Sequence, residues 1–186
     1  MAQARLNLRN VTTILVDRDH FTRGIVAQML RGFGMDSPTI CETGLQAKHH
    51  LKHNCVDLVV IEGALPDMAS ADLVRWIRRQ DKSPFRFVPV IVMSGYTQLR
   101  HVAAARDAGA NLVVKKPFSP AALFDRITWL SRNERPFIET GDFTGPDRRF
   151  REAPPRDGVL KRDTDNQTPD EEDDDIAAQQ SINSAA

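Results

Sequence analysis

Leu58-Val59-Val60-Ile61-Glu62-Gly63-Ala64-Leu65-Pro66-Asp67-Met68 is the stretch that decides how this chain folds. A short, β-branched apolar run that closes on a carboxylate and then a proline turn reads as a buried parallel strand with an acid at its carboxyl end. Working outward, apolar strands alternate with amphipathic segments. Strands are predicted at 12–16, 39–41, 56–61, 87–93 and 112–114, and helices at 20–33, 45–53, 69–79, 99–108 and 120–130. In the first helix Ile25, Met29, Leu30 and Phe33 recur at helical spacing, and in the third Leu73, Trp76 and Ile77 face inward. Ser119 and Pro120 supply an N-cap and a first-turn proline for the last helix. Five strands alternating with helices imply an α/β protein with a doubly wound five-stranded parallel sheet. Ligands of such sheets sit beyond the carboxyl ends of the strands, which singles out Asp17, Glu62, Ser94 and Lys116.

The chain has 186 residues, enough for one domain with a sizeable core and an extension. Lys+Arg and Asp+Glu both total 25, a balance that argues against a general polyanion binder. Cys41 and Cys55 show neither metal spacing nor a disulfide framework and read as reduced thiols of a cytosolic protein. No segment has the length and apolarity of a signal peptide or a membrane span, so direct membrane insertion is not expected. His49 and His53 stand one helical turn apart but lack a third ligand type at a convincing spacing, so they read as a solvent-facing helix and no metal is expected. Three regions follow: a folded domain over 1–132, an arginine-rich arm over 133–162 and an acidic, aliphatic-poor tail over 163–186 that reads as disordered.

The arm is rich in proline and glycine, lacks a helical period and reads as irregular. Arg132 immediately precedes it, and it contains Arg135, Arg148, Arg149, Arg151, Arg156 and Arg162, with Phe137, Phe143 and Phe150 interleaved and Asp142 and Asp147 among them. Guanidinium groups read guanine O6 and N7 in pairs, clamp phosphates and stack on bases, the first and last of which an ammonium does poorly. Aspartates accept from guanine N–H groups, and Phe150 offers a stacking surface. These are parts suited to a guanine-bearing anion. Two plainer readings stand beside that one: a solvated linker pairing with the acidic run at 170–175, and a nucleic-acid arm. No folded reader domain accompanies the arm, and the acidic tail would repel a nucleic-acid backbone, so nucleic acid is not expected as a partner.

Ile14-Leu15-Val16-Asp17, Arg23, the 57–68 stretch, Val90-Ile91-Val92-Met93-Ser94-Gly95, Ala108-Gly109-Ala110 and Lys116-Pro117-Phe118 together resemble the CheY-like receiver domains of two-component signalling. The resemblance covers about 11–132 and implies a flavodoxin-like fold. It also implies a phosphorylation site in which two adjacent acids and an acceptor Asp hold Mg²⁺, with a hydroxyl and a lysine on the phosphoryl group. Asp17, Ser94 and Lys116 match that pattern, whereas Arg18 stands at the second acid and Glu62 at the acceptor. Counting Asp17 and Glu62 against Arg18 and Lys116, the site sums to about zero charge, which a hard cation disfavours. Glu62 is expected to pair with Arg18 or Lys116, as a lock or as a relic, and Val113 stands where receivers usually carry a switching aromatic.

The succession Arg135-Pro136-Phe137-Ile138, Asp142-Phe143-Thr144-Gly145-Pro146-Asp147-Arg148-Arg149-Phe150 after such a receiver resembles the Cle family of CheY-like effectors. That resemblance implies cyclic di-GMP as ligand, possibly as a stacked dimer, bound through Arg135, Asp142, Asp147, Arg148, Arg149 and Phe150, with Arg132 and Arg151 as further contacts. It also implies a non-enzymatic, cytoplasmic protein recruited to the flagellar motor switch and acting in motility and surface attachment. A conventional phosphorylated receiver and a constitutive adaptor are the alternatives.

Overall fold

The computed structural model describes residues 7–80, 83–95, 99–133, 135–140 and 143–147. Five parallel strands, β1 (Thr13–Val16), β2 (Thr39–Cys41), β3 (Leu58–Glu62), β4 (Val90–Ser94) and β5 (Leu112–Lys115), lie in the order β2-β1-β3-β4-β5. The helices are α1 (His20–Gly32), α2 (Gly44–His53), α3 (Ser70–Arg78), α4 (Leu99–Asp107) and α5 (Pro120–Arg132). Alternating strand residues feed two cores. Ile14, Val16, Val59, Ile61, Val90 and Val92 join Leu51, Leu73 and Ile77 on one face, whereas Leu15, Val60, Ile91 and Met93 join Val26, Leu30, Leu123 and Ile127 on the other. The doubly wound sheet expected from the strand–helix alternation is therefore present.

Caps set the helix starts. Asp19, Thr43 and Ser119 accept from the backbone N–H of Thr22, Gln46 and Ala122, and Pro120 occupies the first turn of α5. Three local expectations need correction. Ile25 is exposed, and α1 buries Val26 and Ala27 instead. Trp76 is only half-buried, stacked on Phe85 with ring centroids 5.7 Å apart. Residues Pro84–Phe87 form a 3₁₀ turn, so the fourth strand begins at Val90; Pro84 starts that turn and cannot donate to a ladder. Both cysteines are free; Cys41 is buried, which pushes its thiol up to about 11, and Cys55 is exposed. Among the described residues no helix is long and apolar enough to cross a membrane.

Part of the arm is not irregular. Residues Phe137–Thr140 (β6) and Phe143–Pro146 (β7) pair antiparallel, with Phe137 opposite Pro146 and Thr140 opposite Phe143. This hairpin belongs to the same compact unit as the sheet, Met1–Phe150. Asp142, Arg148, Arg149, Phe150 and Arg151, like the whole tail, lie outside the described residues.

Candidate functional site

At the carboxyl end of the sheet, Asp17 follows β1 and is 1% exposed. One of its oxygens accepts the N–H of Asp19 at 2.7 Å; the other has no hydrogen bond among the described residues and faces Lys116 Nζ at 3.6 Å. Glu62, the last residue of β3, accepts a hydrogen bond from Lys116 Nζ, and the two form an ion pair. The ladder brings them together: the N–H of Lys116 donates to Ser94 O at 2.8 Å and that of Gly63 to Met93 O at 2.6 Å. Ser94 is buried, and its Oγ would lie 3.2 Å from a Cβ placed on Gly63. Asp17, Glu62, Ser94 and Lys116 thus converge at the strand ends.

Arg18 does not join them. It is exposed, with no hydrogen bond or ion pair among the described residues, because consecutive residues leaving a strand face opposite ways. Of the two partners expected for Glu62, only Lys116 is used. The expected charge of zero becomes one net negative, two carboxylates against one ammonium. Asp19 caps α1: its carboxylate accepts from Thr22 N at 2.8 Å, and that hydrogen bond lowers its pKa.

The donor set does not fit Mg²⁺. A hard cation takes six or more oxygens. Here Glu62 is engaged by Lys116, and the unbonded Asp17 oxygen already faces the same ammonium. Among the described residues no three acids, histidines or cysteines gather around a common point.

A second cluster lies at the other end of the sheet, where α3 and α4 turn into β4 and β5. Its keystone is Arg78, a fully buried guanidinium with no ion pair among the described residues. It donates to Gly109 O at 3.0 Å, Arg86 O at 2.6 Å, Val88 O at 2.9 Å and Asn111 Oδ1 at 2.9 Å, with the Phe137 ring 5.0 Å away. Burial pushes it down to about 9, which still leaves it charged at neutral pH. Glu139 pairs with Arg86 at 2.7 Å, and Phe137 meets Phe87 edge-on. The backbones touch as well. A Cβ on Gly109, whose φ is +97°, would lie 2.5 Å from Thr144 O, and one on Gly145 would lie 2.8 Å from the Gly109 Cα. Only glycines permit this approach.

Between hairpin and domain is a cavity of about 130 Å³ lined by Arg106, Ala110, Asn111, Arg135 and Pro146. Arg135 stacks on Trp129 at 4.6 Å. Burial pushes its guanidinium down, Arg106 pushes it the same way, and Asp147 pulls it back up. Asp147 is held by its N–H donating to Pro136 O at 2.8 Å, and Arg132 ends α5 at the surface. Arg135 and Asp147, picked from sequence, are therefore brought together. Arg106 and Asn111 were not foreseen, since nothing local to α4 or to the turn before β5 marks them as neighbours of the arm.

Comparison with known proteins bears on the five-stranded domain. The model for the response regulator receiver domain matches residues 13–128. Chemotaxis protein CheY-3 of Vibrio cholerae serotype O1 is 30% identical over 125 residues, which cover 67% of this chain and 94% of that protein. Chemotaxis protein CheY of Pseudomonas aeruginosa is 26% identical over 114 residues, covering 61% and 90%. Among solved structures, chemotaxis response regulator CheY4 of Vibrio cholerae superposes with a TM-score of 0.58 at 20% identity, over 63% of this chain and 96% of that one. That level of identity speaks to fold alone.

Proposed function

The chain belongs to the response regulator receiver domain family, and from that premise we propose that it is a CheY-like signalling protein driven by cyclic di-GMP instead of phosphorylation. The observation that carries this reading is the Glu62–Lys116 ion pair. The lysine that the receiver pattern assigns to a phosphoryl group is engaged by a carboxylate of the chain itself. Arg18 adds no metal ligand, so the cation that phosphoryl transfer depends on finds no proper seat.

The input is then sought in the arm. Arg148, Arg149, Asp142 and Phe150 offer guanine-reading, phosphate-clamping and stacking groups in sequence. Arg135 and Asp147 extend that set beside a cavity with two arginines in its wall. The output is contact with another protein, the flagellar motor switch, through the face made by α4, β5 and α5. The arm leaves α5 and folds back near the end of α4, so a ligand bound there acts on the edge of that face.

Calorimetric titration of the whole chain with cyclic di-GMP, with GTP and cyclic di-AMP as controls, tests the proposal. Selective binding that is largely lost in R148A/R149A is expected. Unchanged binding by that double variant refutes the assignment of those arginines, and no binding by the wild type refutes the ligand.

A further inference from the structure

The cavity between α4 and the hairpin has a chemistry of its own. Arg106 and Arg135 both line it and so present two guanidinium groups to one small space; burial and then Arg106 disfavour charge on Arg135, and Asp147 favours it. Asn111 adds a directed donor. Its Oδ1 accepts from both Arg78 and the backbone N–H of Val90, each at 2.9 Å, which fixes the amide and leaves its NH₂ as the donating end. Asp147 stands close enough to Arg135 to favour its charge and steady it. At about 130 Å³ the cavity is small, with room for a group of phosphodiester size.

We propose that Arg106 of α4 is a ligand-binding residue which, with Arg135 and the Asn111 amide, seats one phosphodiester of the nucleotide held by the arm. This rests on the cyclic di-GMP reading above and deepens it. One guanidinium comes from the folded domain and the other from the arm, so the ligand cross-links them. Binding therefore restrains the end of α4, and the signal reaches the receiver without passing through Glu62. A plainer role for Arg106 is as a cation in the last turn of α4, complementing the helix dipole. Lysine fills that role equally well but cannot form the two-pronged contact.

The test is titration of the full-length wild type, R106A, R106K and R148A/R149A with cyclic di-GMP, GTP and inorganic phosphate, together with amide exchange of the α4 backbone. R106A is expected to bind cyclic di-GMP about tenfold or more weakly. R106K should keep the wild-type Tm yet recover only part of the affinity. Ligand should protect α4 in the wild type and not in R106A. Wild-type affinity in R106A, with R148A/R149A defective, would overturn this inference and leave the arm reading intact. Inorganic phosphate binding that matches the dinucleotide and is lost in R106A would make the cavity a general anion pocket, which also overturns it. A wild type that binds no cyclic di-GMP would overturn both.

Discussion

Lys116 serves two carboxylates at once: its Nζ is paired with Glu62 and stands 3.6 Å from the buried Oδ2 of Asp17. A receiver that takes phosphate needs that ammonium free for the incoming group and both acids free for a cation. Here one cation and two anions satisfy each other. The first expectation is that acetyl phosphate with Mg²⁺ gives no stable adduct on the wild type, read by intact mass. Restoring the shorter acid with E62D should not rescue labelling, because Arg18 still stands at the second acid position. An adduct on either protein would contradict this account of the site.

Removing the ammonium should cost stability. K116A leaves Asp17, 1% exposed, and Glu62 without a counter-charge. Breaking a buried pair costs roughly 3–5 kcal/mol, but the Lys116 and Glu62 side chains are 22% and 17% exposed, so solvent screens part of it. A loss of about 2 kcal/mol in urea unfolding is expected. A change below about 0.5 kcal/mol would show that the pair is only a surface contact.

Arg78 should matter more. R78M keeps much of the side-chain volume but strands the carbonyls of Gly109, Arg86 and Val88 and removes one donor to Asn111. Each buried acceptor left unsatisfied costs about 1–3 kcal/mol, so the variant should lose about 3 kcal/mol or more. Because Phe137 rests on the same guanidinium, amide protection in β6 and β7 should fall further than in β1 or β3. Uniform loss across the sheet and hairpin would argue against Arg78 as the anchor of the arm.

Asp67 provides a pH-dependent test. Its two oxygens accept from the N–H groups of Gly44 and Leu45, both at 2.9 Å, so the carboxylate caps α2 from a separate loop. Burial raises its pKa, but these hydrogen bonds outweigh that and carry it below its ordinary value. A depressed carboxylate contributes stability that is fully present above its unfolded pKa and lost as pH falls through the folded one. D67A should therefore lower Tm at neutral pH, and the gap to wild type should close below about pH 4. A constant gap down to pH 2 would mean that the charge is irrelevant.

The sheet was legible because its signals are local. β-branched runs, the Ser119 cap and the acid closing β3 depend only on neighbours in sequence. The convergence of Asp17, Glu62, Ser94 and Lys116 followed from their place at strand ends in one parallel sheet. What was not legible depends on which way a side chain faces or on distant packing. Arg18 adjoins Asp17 but turns to solvent. Arg78 and Arg79 read alike, yet Arg78 is buried and Arg79 exposed. The hairpin was hidden by Gly145 and Pro146, which look like loop residues until the close approach to Gly109 explains the glycine. Arg106 belongs to an element that nothing in sequence links to the arm.

We propose that this receiver takes its input at the arm and not at Glu62. That proposal is tested most directly by calorimetric titration with cyclic di-GMP before and after incubation with acetyl phosphate and Mg²⁺. Selective binding with the same affinity in both samples, and no mass increase on the protein, is the predicted result. Absence of binding, or phosphate incorporated at Glu62 with a changed affinity, would contradict it.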